Sequence, residues 1–362
     1  MNPLRILLFP IALLYGVGVW IRNLLFDINV LSSHQFKSIS TISIGNLSTG
    51  GTGKTPHTEY LIRLLKSEFK VATLSRGYGR KSNGFQLASV DSTYQDVGDE
   101  PQQFFSKFPD IPVAVEAKRV IGIQKLLDQF ADLDIILLDD AFQHRYVVSG
   151  ISILLTEYSN LFVDDHLLPV GNLREYKSGM KRADIIIVTK SPEILSPIDA
   201  RTIREKIQPK SYQRVYFSYF KYGELQAVFP NQISFVPNYR NIHQTLLVTG
   251  IAQAGRLVEY LNQHEFEIEH LEYPDHHDFT ESDLQTIRET FQKLSALGPR
   301  IIITTEKDAM RFRLPAIREK MADLPLFYIP IEVDFHNNLS NEFNEQILHY
   351  VRTNKVNSQF NS

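Results

Sequence analysis

The chain contains no cysteine, so neither a disulfide nor a thiolate metal site is open to it. Its 362 residues carry a formal net charge of −3. It therefore lacks the whole-molecule basic field that nucleic-acid binding relies on, and no nucleic acid is expected as a partner. Internal repeats and low-complexity tracts are absent too, which leaves no reason to expect a repeat architecture. What is present is ordinary for a folded protein: 43% hydrophobic and 22% charged residues, enough for a core that needs no staples. The length suits two domains, or one domain with a large insertion.

Long uncharged runs are scarce, and the one that stands out is N-terminal. From Ile6 to Ile21 there is no charged side chain, and Arg5 and Arg22 bracket the run. As a helix it would span about 24 Å, short of the about 30 Å of a hydrocarbon core. Pro10, Gly16 and Gly18 weaken it further. A signal peptide would need a small-residue cleavage site, and no convincing one follows. A buried core helix is a second reading. The favoured reading is a helix lying in the membrane interface, with Tyr15, Trp20 and Arg22 at the headgroup level.

Beyond it, short Ile/Leu/Val-rich runs alternate with helical periods, the pattern of a parallel sheet covered by helices. Strands are predicted at Ser40–Ile44, Val71–Ser75, Val113–Val115, Ile135–Leu138, Ile151–Leu155 and Ile185–Thr189, with helices after Lys54 and Lys118. Val215–Phe220 and Glu224–Val228 flank Lys221–Tyr222–Gly223 and read as a connecting hairpin. A second block follows: strands at Leu246–Thr249, Ile301–Thr304 and Leu326–Ile329, and helices at Gly255–Leu261 and Glu281–Leu294. The polar tail from Arg352 is expected to fray.

The most specific motif is Gly45-Asn-Leu-Ser-Thr-Gly-Gly-Thr-Gly-Lys-Thr-Pro56. It follows a strand and opens a helix, the context of a phosphate-binding loop. Ser48, Thr49, Gly50, Gly51, Thr52 and Gly53 offer backbone N–H groups to a phosphate chain. Lys54 reaches for the outer phosphates, and the Thr55 hydroxyl is placed for Mg²⁺. The frame departs from the usual pattern in having Ser48 where glycine is expected, with the Gly50–Gly51 pair to compensate. Ile135–Asp139–Asp140 is an apolar strand ending in acids, suited to hold Mg²⁺ directly or through water. Two acids at a strand end also commonly just cap a turn.

Transfer of a phosphoryl group to an alcohol needs a proton acceptor. Gly98-Asp99-Glu100-Pro101 reads as a compact acidic loop, and Asp275-His276-His277-Asp278 supplies imidazoles. From spacing alone, either is as readily a surface turn.

Taken together these segments resemble the tetraacyldisaccharide 4′-kinase family over nearly the whole chain. The resemblance is carried by the phosphate loop, Ser75-Arg-Gly-Tyr-Gly-Arg80, Val97-Gly-Asp-Glu-Pro101 and Leu138-Asp-Asp-Ala-Phe-Gln-His-Arg145. Leu168-Pro-Val-Gly-Asn-Leu-Arg-Glu175, Asp275-His276 and Thr304-Thr-Glu-Lys-Asp308 extend it. It implies an α/β protein of two α/β/α sandwich lobes, the N-terminal one P-loop NTPase-like, joined by a β-strand linker and preceded by a membrane-associated helix. The expected segments are 1–26 for the helix, 27–212 for the kinase lobe, 213–240 for a hairpin linker, 241–352 for the C-terminal lobe and 353–362 for the tail.

The implied activity is transfer of the ATP γ-phosphate to the 4′-hydroxyl of tetraacyldisaccharide 1-phosphate, giving lipid IVA, at the cytoplasmic face of the inner membrane. ATP and Mg²⁺ are the implied cofactors. By the same resemblance Asp99 and His276 form the acid–base pair, with His277 a neighbouring alternative. Arg119 and Arg174 act in catalysis, and Thr55, Asp139, Asp140 and Glu175 stand on the metal side. The basic residues Arg76, Arg80, Lys81, Lys177 and Arg182 become candidates for the lipid headgroup phosphate. Two other classes compete. In a GTPase switch, Lys307–Asp308 would read a guanine base; an ATP-driven assembly factor would turn over nucleotide without lipid.

Overall fold

The computed structural model describes residues 7–229, 242–251, 254–264, 267–294, 298–336 and 339–360. The chain opens with a helix, Phe9–Asp27, whose outward side chains are almost all apolar. Strands β1 (Ser40–Asn46), β2 (Val71–Ser75), β3 (Gln86–Leu87), β4 (Val113–Val115), β5 (Ile135–Asp139), β6 (Ile151–Glu157), β7 (Ile185–Thr189) and β8 (Arg214–Tyr222) then build one sheet. A second sheet holds β9 (Gln226–Ala227), β10 (Gln244–Thr249), β11 (Glu267–Glu272), β12 (Arg300–Thr305) and β13 (Leu326–Ile329), in the order β11-β10-β12-β13-β9. The last strand, β14 (Ile331–Phe335), rejoins the first sheet, giving the order β14-β8-β7-β6-β1-β5-β2-β4-β3.

β1, β2, β4, β5 and β7 are buried at every residue, because helices cover both faces of the first sheet. One face packs Ile42, Ile44, Ile135 and Leu137 against the helices Lys54–Leu65, Asp99–Lys107 and Leu339–Phe360. The other face packs Ala72, Leu74 and Ile136 against Arg119–Gln129, and Leu154, Ile186 and Val188 against Pro197–Ile207. The second sheet is likewise sandwiched, with Glu281–Lys293, Glu306–Phe312 and Pro315–Met321 on one side and Gly255–Asn262 on the other.

The connection between the lobes differs from the expected hairpin. β8 does not fold back on β9. It pairs in parallel with β7 and antiparallel with β14, Tyr222 opposite Ile331 through Ser218 opposite Phe335. β9 pairs instead with β13, Phe327 opposite Ala227. The two crossing strands are joined at the waist by a Gly223 N–H to Pro330 carbonyl bond of 2.9 Å. A local hairpin loses because the edge of β8 that it would use is taken by the returning β14. Of the expected linker, residues 230–240 lie outside the described set.

The C-terminal boundary shifts for the same reason. Residues 331–336 and 339–360 return to the first lobe, where Phe343, Ile347 and Val351 enter its core, so the second lobe ends near Pro330 rather than at 352. The tail continues as helix to Phe360, not as frayed coil. The acidic stretch at Asp99 is the first turn of the helix Asp99–Lys107, begun by Gly98 at φ +96°.

Candidate active site at the interlobe cleft

Parallel pairing places Ile44 of β1 beside Asp139 of β5. The phosphate loop and the two acids therefore leave the sheet at the same carboxyl edge, where ligands of open α/β sheets bind. Gly50 and Gly53 take left-handed φ values of +106° and +87°. A Cβ on Gly53 would sit 2.8 Å from Phe220 Cζ, so that position excludes other residues on two grounds. The loop is braced from outside. Asn46 Nδ2 donates to Thr52 Oγ1 at 3.0 Å, Thr189 Oγ1 to the Thr52 carbonyl at 2.8 Å, and the Thr49 N–H to the Asn172 carbonyl at 2.7 Å. Buried Ser48 forms a β-bridge with Leu173.

A cleft of about 680 Å³ opens between the lobes. Thr49 to Thr55, Asp139, Asp140, Arg174 and His276 all line it. Lys54 Nζ lies 3.5 Å from Asp140 Oδ1, and Arg174 donates to the same carboxylate at 3.1 and 3.2 Å. Burial pushes the Asp140 carboxyl up, but Lys54 and Arg174 outweigh it and hold the group below its usual range. Asp139 differs. Burial, then the charges of Glu100 and Asp140, push it up to about 7. Among the described residues its oxygens receive only the hydroxyls of Thr58 at 3.2 Å and Ser75 at 3.3 Å. Two carboxylates and the Thr55 hydroxyl are hard oxygen donors that fit Mg²⁺, and the under-compensated charge at Asp139 is what a divalent cation would relieve.

Facing the loop across the cleft is a charged cluster built from both lobes. His276 Nδ1 donates to Asp99 Oδ2 at 2.7 Å, so the pairing falls to His276; His277 turns away to Asp283 at 2.9 Å. His276 Nε2 is 2.9 Å from Lys307 Nζ. Arg311 forks between Asp99 and Asp308, reaching Asp308 Oδ1 at 2.8 Å. For Asp99, burial favours the neutral acid, but the His276 hydrogen bond and the charges of Arg311 and Lys307 prevail and lower its pKa. Among the described residues Asp99 Oδ1 is buried without a hydrogen-bond partner, which calls for a functional explanation. Asp140, Lys190 and His276, all on the cleft wall, adopt left-handed backbone conformations, strain of the kind that concentrates at working sites.

Four expected site residues do not line the cleft: Ser48 and Asp99 are buried, Asp99 held to the cleft-lining His276, and Arg119 and Glu175 are turned elsewhere. The Arg119 side chain is fully buried and donates to the carbonyls of Glu116 at 2.8 Å and Asp139 at 3.1 Å. It struts the end of β5, and burial lowers its pKa to about 10, still a cation. Glu175 is buried and engaged by Asn23, Gln143 and Arg182, so it is turned from the metal side. Among the basic candidates, Arg182 is thereby occupied and Lys177 donates to the Val163 carbonyl; Arg76 alone of the five lines the cleft. Asp308 is buried and accepts from the Gly250 N–H, Thr305 and Arg311, which closes it to a guanine base. Arg311 was not singled out in the sequence, and Lys307 only as part of the guanine-reading alternative. Their signal was the 307, 308, 311 spacing, which places three charges on one helical face.

His144 follows the acids and is half-buried. Burial first, then the charges of Arg119, Arg22 and Arg76, lower it to about 4. The folded state thus binds its proton less readily than the unfolded chain. Its contribution is present in full above about pH 6.5 and is lost as pH falls toward about 4, on the order of 1–2 kcal/mol after solvent screening. Urea midpoints at about pH 7.5 and about pH 5 should therefore differ less in His144→Gln than in the parent.

Comparison with known proteins agrees with this geometry. The tetraacyldisaccharide-1-P 4′-kinase family profile matches residues 4–352. The tetraacyldisaccharide 4′-kinase of Phocaeicola vulgatus is 46% identical over 98% of this chain and 97% of its own. That of Flavobacterium psychrophilum is 45% identical over 99% and 100%. A crystal structure of LpxK from Aquifex aeolicus in complex with ATP superposes with a TM-score of 0.73 at 24% identity, covering 96% of this chain and 99% of that one; this last likeness is one of fold.

Proposed function

The chain belongs to the tetraacyldisaccharide-1-P 4′-kinase family, and from that premise we propose that its cleft transfers the γ-phosphate of ATP to the 4′-hydroxyl of tetraacyldisaccharide 1-phosphate, forming lipid IVA. The reading is carried by one observation: the phosphate loop and His276, itself hydrogen-bonded to the buried Asp99, line a single cleft.

Loop N–H groups and Lys54 hold the phosphates. Thr55, Asp139 and Asp140 would hold Mg²⁺, which when bound neutralises charge on the phosphate oxygens. The sugar hydroxyl oxygen bonds to the γ-phosphorus as the bond to the β-phosphate oxygen breaks and ADP leaves. The hydroxyl proton passes to the Asp99–His276 pair. Arg174 keeps Asp140 ionised. Arg76, which lines the cleft, is the basic group proposed for the headgroup phosphate, since Arg80 already donates to the Gly84 carbonyl.

The N-terminal helix lies along the body, its inner side holding Ala12, Gly16 and Phe26 while Phe9, Leu13, Leu14, Val17 and Trp20 face outward. That posture supports immersion of the outer face in the cytoplasmic leaflet rather than a span. Deleting residues 7–26 should release the protein from membranes; full retention would refute the anchor.

The test is incubation with γ-labelled ATP, Mg²⁺ and detergent-dispersed tetraacyldisaccharide 1-phosphate. Label is expected in the lipid. ATP turnover indifferent to lipid would overturn the reading in favour of an assembly factor. Lys54→Ala should weaken ATP binding and turnover together, because Lys54 contacts the phosphates in both ground and transition states.

A further inference from the structure

Glu175 is a buried carboxylate that the transfer chemistry leaves unused. Its Oε1 accepts from Arg182 at 2.6 Å and from Gln143 Nε2 at 3.2 Å, and its Oε2 accepts from Asn23 Nδ2 at 3.2 Å. Asn23 belongs to the N-terminal helix. Gln143 Nε2 also donates to the Asn46 carbonyl at 2.6 Å, and Asn46 grips Thr52 of the phosphate loop. A continuous path of hydrogen bonds thus runs from the helix, through Glu175, to the phosphate loop.

Two flanking contacts repeat the connection. Tyr15 Oη donates to the Arg174 carbonyl at 2.7 Å, and Arg22 donates to the Gln143 carbonyl at 2.7 Å. The side chain of the same Arg174 holds Asp140. The helix is seated flush at this point: a Cβ on Gly16 would lie 2.4 Å from Tyr176 Oη and 2.8 Å from Leu167 Cδ1. A helix that only anchors needs an apolar outer face. This one also spends Tyr15, Arg22 and Asn23, two turns apart on its inner side, on residues next to the phosphate site. Among the described residues Asn23 also keeps a buried Oδ1 without a partner, which anchoring alone gives no reason to retain.

We propose that Glu175 is a positioning residue that couples the seating of the N-terminal helix to Arg174 and the phosphate loop. Turnover then depends on the inner face of the helix, separately from its hold on lipid. Where turnover is the readout, this rests on the kinase reading above; nucleotide affinity tests the same coupling without it.

The experiment uses full-length Asn23→Ala, Tyr15→Phe, Glu175→Gln and the Asn23→Ala/Glu175→Gln pair. Each is measured for kcat, for KM toward ATP and toward detergent-dispersed lipid, for Mg-ATP affinity by calorimetry, and for partition onto phosphatidylethanolamine–phosphatidylglycerol vesicles. Asn23→Ala and Tyr15→Phe should each lower kcat or Mg-ATP affinity about 3–10-fold, with lipid KM and partition unchanged. The double variant should lose less than the product of the single losses. Unchanged kcat and Mg-ATP affinity in both helix variants would overturn the proposal. So would multiplicative losses, or a loss confined to lipid KM and partition. Tyr15→Phe removes one hydroxyl, so it stays informative if Glu175→Gln fails to fold. Absence of lipid labelling by the parent would count against the kinase reading alone, and the calorimetric arm would still decide the coupling.

Discussion

Asp99→Ala should lower kcat by about 10²–10⁴-fold while the protein still binds ATP. Asp99 is buried beside the cleft-lining His276, and its carboxylate fixes the His276 ring through Nδ1. With Nδ1 donating to Asp99, Nε2 carries the basic lone pair, and Lys307 lies beside it. Removing the carboxylate frees the ring to take the other tautomer and deletes the unpartnered Oδ1, so both candidate proton acceptors of the pair are disturbed by one change. Nucleotide contacts on the loop are untouched. Single-turnover rates and calorimetric ATP affinity separate the two effects. A variant that keeps its kcat would exclude Asp99 from proton transfer. Asp99→Asn makes a useful comparator, because it preserves shape while removing charge.

Arg311→Ala should destabilise the protein by about 3–5 kcal/mol, the cost of leaving buried charge without its partner. The Arg311 side chain is fully buried and serves two carboxylates, Asp99 from the first lobe and Asp308 from its own helix. Asp308 retains the Gly250 N–H and Thr305, whereas Asp99 would retain only His276. Arg311→Lys should recover little, since an ammonium cannot fork between two acceptors as a planar guanidinium does. The measurement is urea unfolding followed by fluorescence, with far-UV circular dichroism to detect separate transitions in the two lobes. A midpoint within error of the parent would mean that water replaces the guanidinium. A drop in kcat larger than the loss of folded fraction would show that Arg311 also sets the charge of the Asp99–His276 pair.

The parts of this architecture that could be read from the sequence are those written locally. Val71–Ser75, Ile185–Thr189 and Leu326–Ile329 are short, uncharged runs dominated by apolar residues, and their ends fall where a strand must leave a doubly covered sheet. The phosphate loop is local as well, since its glycines, lysine and threonine are contiguous. The Asp99–His276 contact spans 177 residues and was reached through family resemblance; spacing alone left it a pair of surface turns. Arg119 and Glu175 were likewise reached through the resemblance, and burial turns one to backbone carbonyls and the other to the N-terminal helix. The linker misled because β-rich runs on either side of a glycine read as a hairpin, whereas the partner strand comes from more than a hundred residues downstream. β11 was missed because Glu267–Glu272 alternates polar and apolar residues at a sheet edge, without the continuous apolar run of a central strand.

The paired crossing at Gly223 and Pro330 makes the second lobe an insertion nested within the first. During synthesis, the ribosome must deliver residues 224–329 before β14 can seal the edge of β8, a wait of about 5–20 s at bacterial elongation rates. Through that interval β8 offers an unpaired edge, while the core positions later filled by Phe343 and Ile347 stand open. The nascent first lobe is thus vulnerable to mispairing long after its phosphate loop has left the ribosome. Because the inserted lobe begins and ends at one waist, a short turn replacing 224–329 would bring β14 to β8 at once, and the first lobe would then mature without the delay.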